Sequence, residues 1–192
     1  PWPVSIGPRD TLSDERLSDI VVENNRIYPG FGTKSTGSND VSIAINIASH
    51  YTTIRNNVMS GENSGNGYLG IRIHPSGSLI YPKGCRVFNN TVYKELLPTG
   101  NTTTGIEILE GCFDTEVRNN LVHFATGFFR RVAVADFGTN TVQSNNLLTS
   151  DAFLVDPDNA SWLDKDFRLK ANISPAINAG TNVPVFKDKD GA

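Results

Sequence analysis

Cysteine is almost absent from this chain: its 192 residues hold two, Cys85 and Cys112, with one methionine and two tryptophans. Two cysteines cannot supply the disulfide framework of a small secreted scaffold, and no Cys/His cluster has the spacing of a zinc site. No run approaches the roughly 18 apolar residues of a membrane span. The opening Pro1-Trp2-Pro3-Val4 has neither the basic nor the apolar region of a signal peptide. A net charge of −3 leaves no electrostatic footprint for nucleic acid. H-E-x-x-H, G-x-S-x-G and P-loop motifs are missing, and no stretch combines caps with the apolar period of an amphipathic helix. A hydrophobic content of 38% with 19% charged residues describes a folded chain of single-domain size.

What is present is a repeat. An aliphatic residue is followed three positions later by Asn in Val22-Glu23-Asn24-Asn25, Ile54-Arg55-Asn56-Asn57, Val87-Phe88-Asn89-Asn90, Val117-Arg118-Asn119-Asn120 and Val142-Gln143-Ser144-Asn145. Two residues further on stand Ile27, Met59, Val92, Val122 and Leu147. The ladder positions Asn25, Asn57, Asn90, Asn120 and Asn145 are separated by 32, 33, 30 and 25 residues, a period that means stacked units. Each copy reads as a short strand, a tight corner and a second strand. The last Asn is expected at the corner, because Asn tolerates left-handed backbone and its amide bonds neighbouring backbone groups. Repeated coil after coil, such amides stack along the axis.

Between these copies lies a second motif: Ala44-Ile45-Asn46-Ile47, Gly70-Ile71-Arg72-Ile73, Gly105-Ile106-Glu107-Ile108 and Arg131-Val132-Ala133-Val134. Each places two β-branched residues on one face and a variable residue on the other. About three short strands per repeat, joined by Gly-, Ser- and Asn-rich loops, exclude helical repeats, leucine-rich repeats and propeller blades. The expected fold is all-β, a single-domain right-handed parallel β-helix of about five coils. Residues 1–17, with Trp2 and Leu12, are expected to cap the coils or to be a remnant of a preceding one. Coils are expected over 18–148, and 149–192 as a closing segment, complete or truncated. Cys85 and Cys112 sit at different distances before their Asn corners, about 10 Å out of register along the strand, so two free buried thiols are expected.

The V-x-N-N-x-I corner and the G-I-x-I strand resemble the repeat of right-handed parallel β-helices, the pectate-lyase-like superfamily of carbohydrate-active proteins. The likeness covers Ser18 to Leu148. The ending Asp166-Phe167-Arg168-Leu169, then Ser174-Pro175-Ala176-Ile177-Asn178-Ala179-Gly180, is similar to the closing segment of secreted bacterial β-helices. The resemblance implies a secreted or cell-surface protein, lyase-like, that acts on or binds an acidic, uronic-acid polysaccharide. The alternative is a non-catalytic carbohydrate-binding or surface module, or a β-helical fragment of a larger protein.

The resemblance also points to the outward face of the G-I-x-I sheet. Alignment of its strands gives the rows Asn46, Arg72, Glu107, Ala133; Ala48, His74, Leu109, Ala135; and Ser49, Pro75, Glu110, Asp136. Arg131 falls one row earlier, where Ala44, Gly70 and Gly105 leave the backbone open. The catalytic candidates are Arg72, His74 and Glu107, with Asn46, Glu110, Arg131 and Asp136 as substrate-binding residues. In that reading the arginines hold carboxylates, His74 or an arginine takes the proton beside the uronate carboxylate, and Glu107 with Glu110 serves as acid or positions a cation. The plain alternative is a solvated ladder of opposite charges. His123 reads as a loop or surface residue, and Tyr68 and Tyr81 as stacking or packing aromatics. No metal site is expected: Asp188, Asp190 and Gly191 only faintly resemble a calcium loop, whose Glu is missing. No cofactor is expected, and the constellation of three Asp residues found in β-helical hydrolases is absent.

Overall fold

The computed structural model describes residues 4–7, 18–27, 42–61, 68–76, 80–94, 102–124, 130–151, 153–159 and 161–182. Trp2, Leu12 and the acidic stretch at Asp188, Asp190 and Gly191 lie outside them. Three parallel sheets of five strands each wind into a parallel β-helix. Sheet A holds β1 (Val4–Ile6), β4 (Ser42–Ile47), β7 (Tyr68–Ile73), β10 (Thr102–Ile108) and β13 (Arg130–Asp136). Sheet B holds β2 (Val21–Glu23), β5 (Thr53–Arg55), β8 (Arg86–Phe88), β11 (Glu116–Arg118) and β14 (Val142–Ser144). Sheet C holds β3 (Arg26–Ile27), β6 (Val58–Ser60), β9 (Thr91–Lys94), β12 (Leu121–Phe124) and β15 (Leu147–Thr149). Each coil contributes one strand to each sheet. Val4–Ile6, within the stretch read as a cap or remnant, is the sheet A strand of the first coil and pairs Ser5 with Asn46.

The core is a stack of like residues. Ile45, Ile71 and Ile106 lie in register on sheet A, as do Ile54, Val87 and Val117 on sheet B and Met59, Val92 and Val122 on sheet C. All are buried. β-Branched side chains suit this geometry because their restricted rotamers fill the space between coils about 4.8 Å apart.

The corner between sheets B and C carries the central hydrogen-bond column. Asn25 Nδ2 donates to Asn57 Oδ1 at 3.0 Å, Asn57 to Asn90 at 3.0 Å, Asn90 to Asn120 at 3.0 Å, and Asn120 to Asn146 at 2.8 Å. Each Oδ1 also accepts the backbone N–H of the preceding Asn. The second amide hydrogen goes back one coil: Asn57 to Val22 O, Asn90 to Ile54 O, Asn120 to Val87 O and Asn146 to Val117 O. Inside the stack every donor and acceptor of the carboxamide is used, which a buried amide requires.

Two details differ from the sequence reading. The fifth rung is Asn146, not Asn145, and the last step is 26 residues. Glu116 pairs with Val142 and Val117 with Gln143, so the last copy is displaced by one residue. Alignment on the aliphatic Val142 slides because Gln143 stands in the row of Val117 on the terminal coil, while Val142 is 51% exposed. The left-handed residue is the first Asn of each pair rather than the second: Asn24, Asn56, Asn89, Asn119 and Asn145 have φ between 53° and 57°. The ladder Asn follows it with its side chain turned into the corner. A second left-handed row precedes sheet B at Asp19, Tyr51, Gly84, Asp114 and Asn140, six residues before each ladder Asn (19 to 25, 51 to 57, 84 to 90, 114 to 120, 140 to 146). Both corners of sheet B are thus fixed, and length variation is confined elsewhere in the coil.

Cys85 and Cys112 are free and buried, each donating to a main-chain carbonyl, Ser49 O and Ile73 O. After the fifth coil, β16 (Leu154–Asp156) and β17 (Asp166–Leu169) form an antiparallel hairpin that packs on the outward face of sheet C. Leu154 and Phe167 meet Tyr93 and Leu121 there. Farther on, Asn145 Nδ2 donates to Ala179 O and Asn119 exchanges hydrogen bonds with Thr181, so the outward left-handed Asn residues anchor the chain that follows.

Asn90→Ala is expected to lower the unfolding free energy by about 3 kcal/mol, since it leaves two donors of Asn57 without their acceptor in a buried corner and removes one donor from Ile54 O. Asn89→Gly, one residue away, should stay within about 1 kcal/mol because glycine adopts the left-handed backbone freely. Denaturant unfolding of the two variants checks the contrast.

Candidate functional site

Sheet A brings Asn46, Arg72 and Glu107 into one outward row, as the strand alignment predicts. Arg72 Nε donates to Glu107 Oε2 at 2.7 Å across adjacent coils, and both side chains are partly exposed. Asn46, one coil before Arg72, is only 3% exposed, and its Oδ1 has no hydrogen-bond partner. His74, two residues beyond Arg72, is half-buried; its Nδ1 lies 2.7 Å from Pro75 O. Burial, and to a smaller extent the positive charge of Arg72, push its pKa below the ordinary value, against the contact with Pro75 O. The shift favours the neutral imidazole.

The fifth strand does not join this row as expected. Glu107 pairs with Ala135 rather than Ala133, and Ile108 pairs with Asp136. The G-I-x-I match is displaced by two residues on β13. A two-residue slip leaves the apolar alternation intact, so pattern alone cannot detect it. Asp136 consequently lies beside Ile108 rather than Glu110. Its carboxylate accepts from Gly138 N, Thr141 Oγ1 and Gln143 Nε2, each at 3.0 Å, and ties down the corner after the strand. Arg131 pairs with Thr103 and donates to Phe124 O. Glu110 is exposed in the turn after β10. Of the candidates, Asn46, Arg72, Glu107 and His74 come together on sheet A, while Arg131 and Asp136 make contacts within their own coil.

Gly70 and Gly105 have a different role from the open floor read from the sequence. A Cβ on Gly70 would lie 2.7 Å from Val92, and one on Gly105 would lie 2.5 Å from Val122. Their row, Ala44, Gly70, Gly105 and Ala133, faces the interior, where sheet C presses against sheet A. The small residues mark close packing inside the coil.

Three features were not legible beforehand. His123 is buried, not a surface residue, and stacks on Tyr93 with ring centroids 4.6 Å apart. An exposed aromatic edge runs along the corner between sheets A and B, with Tyr51 on the second coil, Tyr81 on the third, and Phe113 and Phe137 on the fourth and fifth. Tyr51 lies over Gly84 and Tyr81 over Gly111, both glycines with positive φ. The side chain of Tyr68 lies outside the described residues. Finally, Lys94 occupies a buried position, 1% exposed, beside Phe124 in the strand register. Burial pushes its pKa down to about 8.

Among the described residues no group of three or more His, Cys, Asp or Glu is placed to hold a metal ion, and no helix is long and apolar enough to cross a membrane. Comparisons of the chain with protein-family models, curated proteins and solved structures find no match.

The folded pKa of Lys94, about 8, lies below the unfolded value of 10.5, so burial of the ammonium costs stability below pH 8 and the cost is relieved as pH rises toward 10.5. Lys94→Met should remove this rise. Unfolding measured across that pH window checks the effect.

Proposed function

We propose that this protein is a polysaccharide-binding β-helix whose ligand lies on the outward face of sheet A and the adjoining aromatic edge. The observation that carries this reading is the set of exposed aromatic residues Tyr51, Tyr81, Phe113 and Phe137 in the turns that follow sheet A, whose outward face carries the Arg72–Glu107 pair. Aromatic rings offer flat apolar faces to the C–H faces of sugars, while the ion pair and His74 supply donors and acceptors for hydroxyls.

Acidic polysaccharide is the class favoured by the likeness of the repeat to the pectate-lyase-like superfamily. Arg72 would hold a uronate carboxylate through its guanidinium fork, exchanging Glu107 for the ligand. A location outside the cell or at its surface goes with this reading. Binding without catalysis is favoured by the local engagement of Asp136 and Arg131, which leaves no second charged pair next to Arg72 among the described residues. One feature supports a lyase: burial, with a smaller effect from Arg72, lowers the His74 pKa and so favours the neutral form that a base for the proton alpha to a uronate carboxylate needs.

Affinity electrophoresis in gels containing alginate, pectate or glycosaminoglycan should retard the protein. Arg72→Ala should weaken retardation roughly tenfold with little change in melting temperature, since a partly exposed pair contributes under about 1 kcal/mol to stability. Unchanged affinity would return Arg72 and Glu107 to a purely structural ladder. Ultraviolet absorbance of the double bond formed by elimination separates the two readings. A signal lost in His74→Ala makes the protein a lyase, and its absence with retained binding makes it a binder.

A further inference from the structure

On the opposite side of the solenoid from the aromatic edge, the C-terminal hairpin and the outward face of sheet C form an open pocket of about 400 Å³. Tyr93 and His123, stacked on adjacent coils, lie at its base. Phe153, Leu154, Val155 and Pro157 form an apolar side, while Asp151, Asp156, Asp158 and Lys170 bring charge to it. A cleft of this size can take a small ligand, and its largely polar lining suits a hydroxylated one.

Three details indicate what fits. Phe153 is 37% exposed, so part of its ring is open to solvent. It also has φ +48°, a conformation rare for a bulky residue. Main-chain bonds hold it there, from Lys170 N to Phe153 O at 2.7 Å and from Phe153 N to Asp151 Oδ1 at 3.3 Å. The carboxylates keep acceptor capacity: Asp158 takes the Tyr93 hydroxyl at 2.7 Å and Asp156 takes the Asn159 amide at 2.8 Å. No ion pair joins Lys170 to these carboxylates among the described residues. An apolar ring face, carboxylate acceptors and an ammonium donor match the faces and hydroxyls of a sugar ring. Three carboxylates against one ammonium disfavour a ligand that is itself an anion.

We propose that this pocket is a second saccharide site that takes a single pyranose unit bearing no carboxylate, stacked on Phe153 with its hydroxyls shared between Asp156, Asp158 and Lys170. It is independent of the sheet A reading and differs from it in ligand charge. The two sites would let one chain hold an acidic polymer on one side and a neutral or amine-bearing sugar on the other.

Titration of the isotope-labelled full chain with the methyl glycosides of glucose, galactose, mannose and glucosamine, followed by nuclear magnetic resonance, tests it, with methyl glucuronide as the anionic control. At least one of the four should shift resonances of residues 150–158, and the glucuronide should bind roughly tenfold more weakly or not at all. Phe153→Asn keeps a residue that tolerates left-handed backbone, and Lys170→Ala alters an exposed side chain; each should weaken binding roughly tenfold at unchanged melting temperature. Arg72→Ala should leave this binding intact, whatever it does on sheet A. Shifts from none of the four glycosides, tighter binding of the glucuronide, or unchanged affinity in both variants would overturn the proposal.

Discussion

The asparagine column between sheets B and C is the constraint on which the rest of the structure depends. A parallel solenoid turns its backbone sharply in every coil, and at each turn peptide groups leave the strand ladder inside the protein. Unpaired, each would cost about 1–3 kcal/mol. Here one side chain per coil resolves the problem. Its oxygen takes the N–H and amide of the coil before, and its nitrogen serves the next Asn and a main-chain carbonyl one coil back. Only a carboxamide has two donors and two acceptor positions on so short a stem. The identity of these residues therefore follows from backbone geometry and has no bearing on ligand chemistry.

That fixed corner dictates where variation is permitted. Six residues separate the left-handed residue before sheet B from the ladder Asn in all five coils, so sheet B and both of its bends are invariant in length. The coil can change length in the turn after sheet A and in the connection from sheet C. The aromatic edge and His74 stand in the first of these regions. Function in this architecture is thus expected where the hydrogen-bond column does not reach, on sheet A and the segments that leave it.

The outward left-handed Asn residues have acquired a second use. Asn119 and Asn145 hold the chain near Ala179 and Thr181, while Arg26 on the first coil donates to Lys165 O and lies over the Phe167 ring. The closing segment consequently runs beside the stack from its last coil to its first. By covering the outward face of sheet C it buries Tyr93 and His123 and creates the second pocket. One face is closed by the hairpin and the segment after it, and another, sheet A, keeps its charged row partly exposed.

The fold and most of its register were legible in the sequence because stacking forces like residues to recur at equal depth. The ladder Asn, the Ile–x–Ile strands and the Arg72–Glu107 neighbourhood all follow from that repetition. Its limit appears on the terminal coil. Gln143 and Asp136 replace the expected apolar residues there, and matching by hydrophobicity slips by one position on sheet B and by two on sheet A. Such matching puts Asn145 in the ladder and Asp136 beside Glu110, whereas the hydrogen bonds put Asn146 in the ladder and Asp136 beside Ile108. The sequence by itself determined that coils stack and which side chains share a row on the coils before the last, Arg72 and Glu107 among them, since both are consequences of a short-range period. Only the tertiary structure decided the register of the last coil, that Gly70 and Gly105 face inward, and what the closing segment covers. Those outcomes depend on contacts between sheets and on the returning chain, which no local pattern encodes.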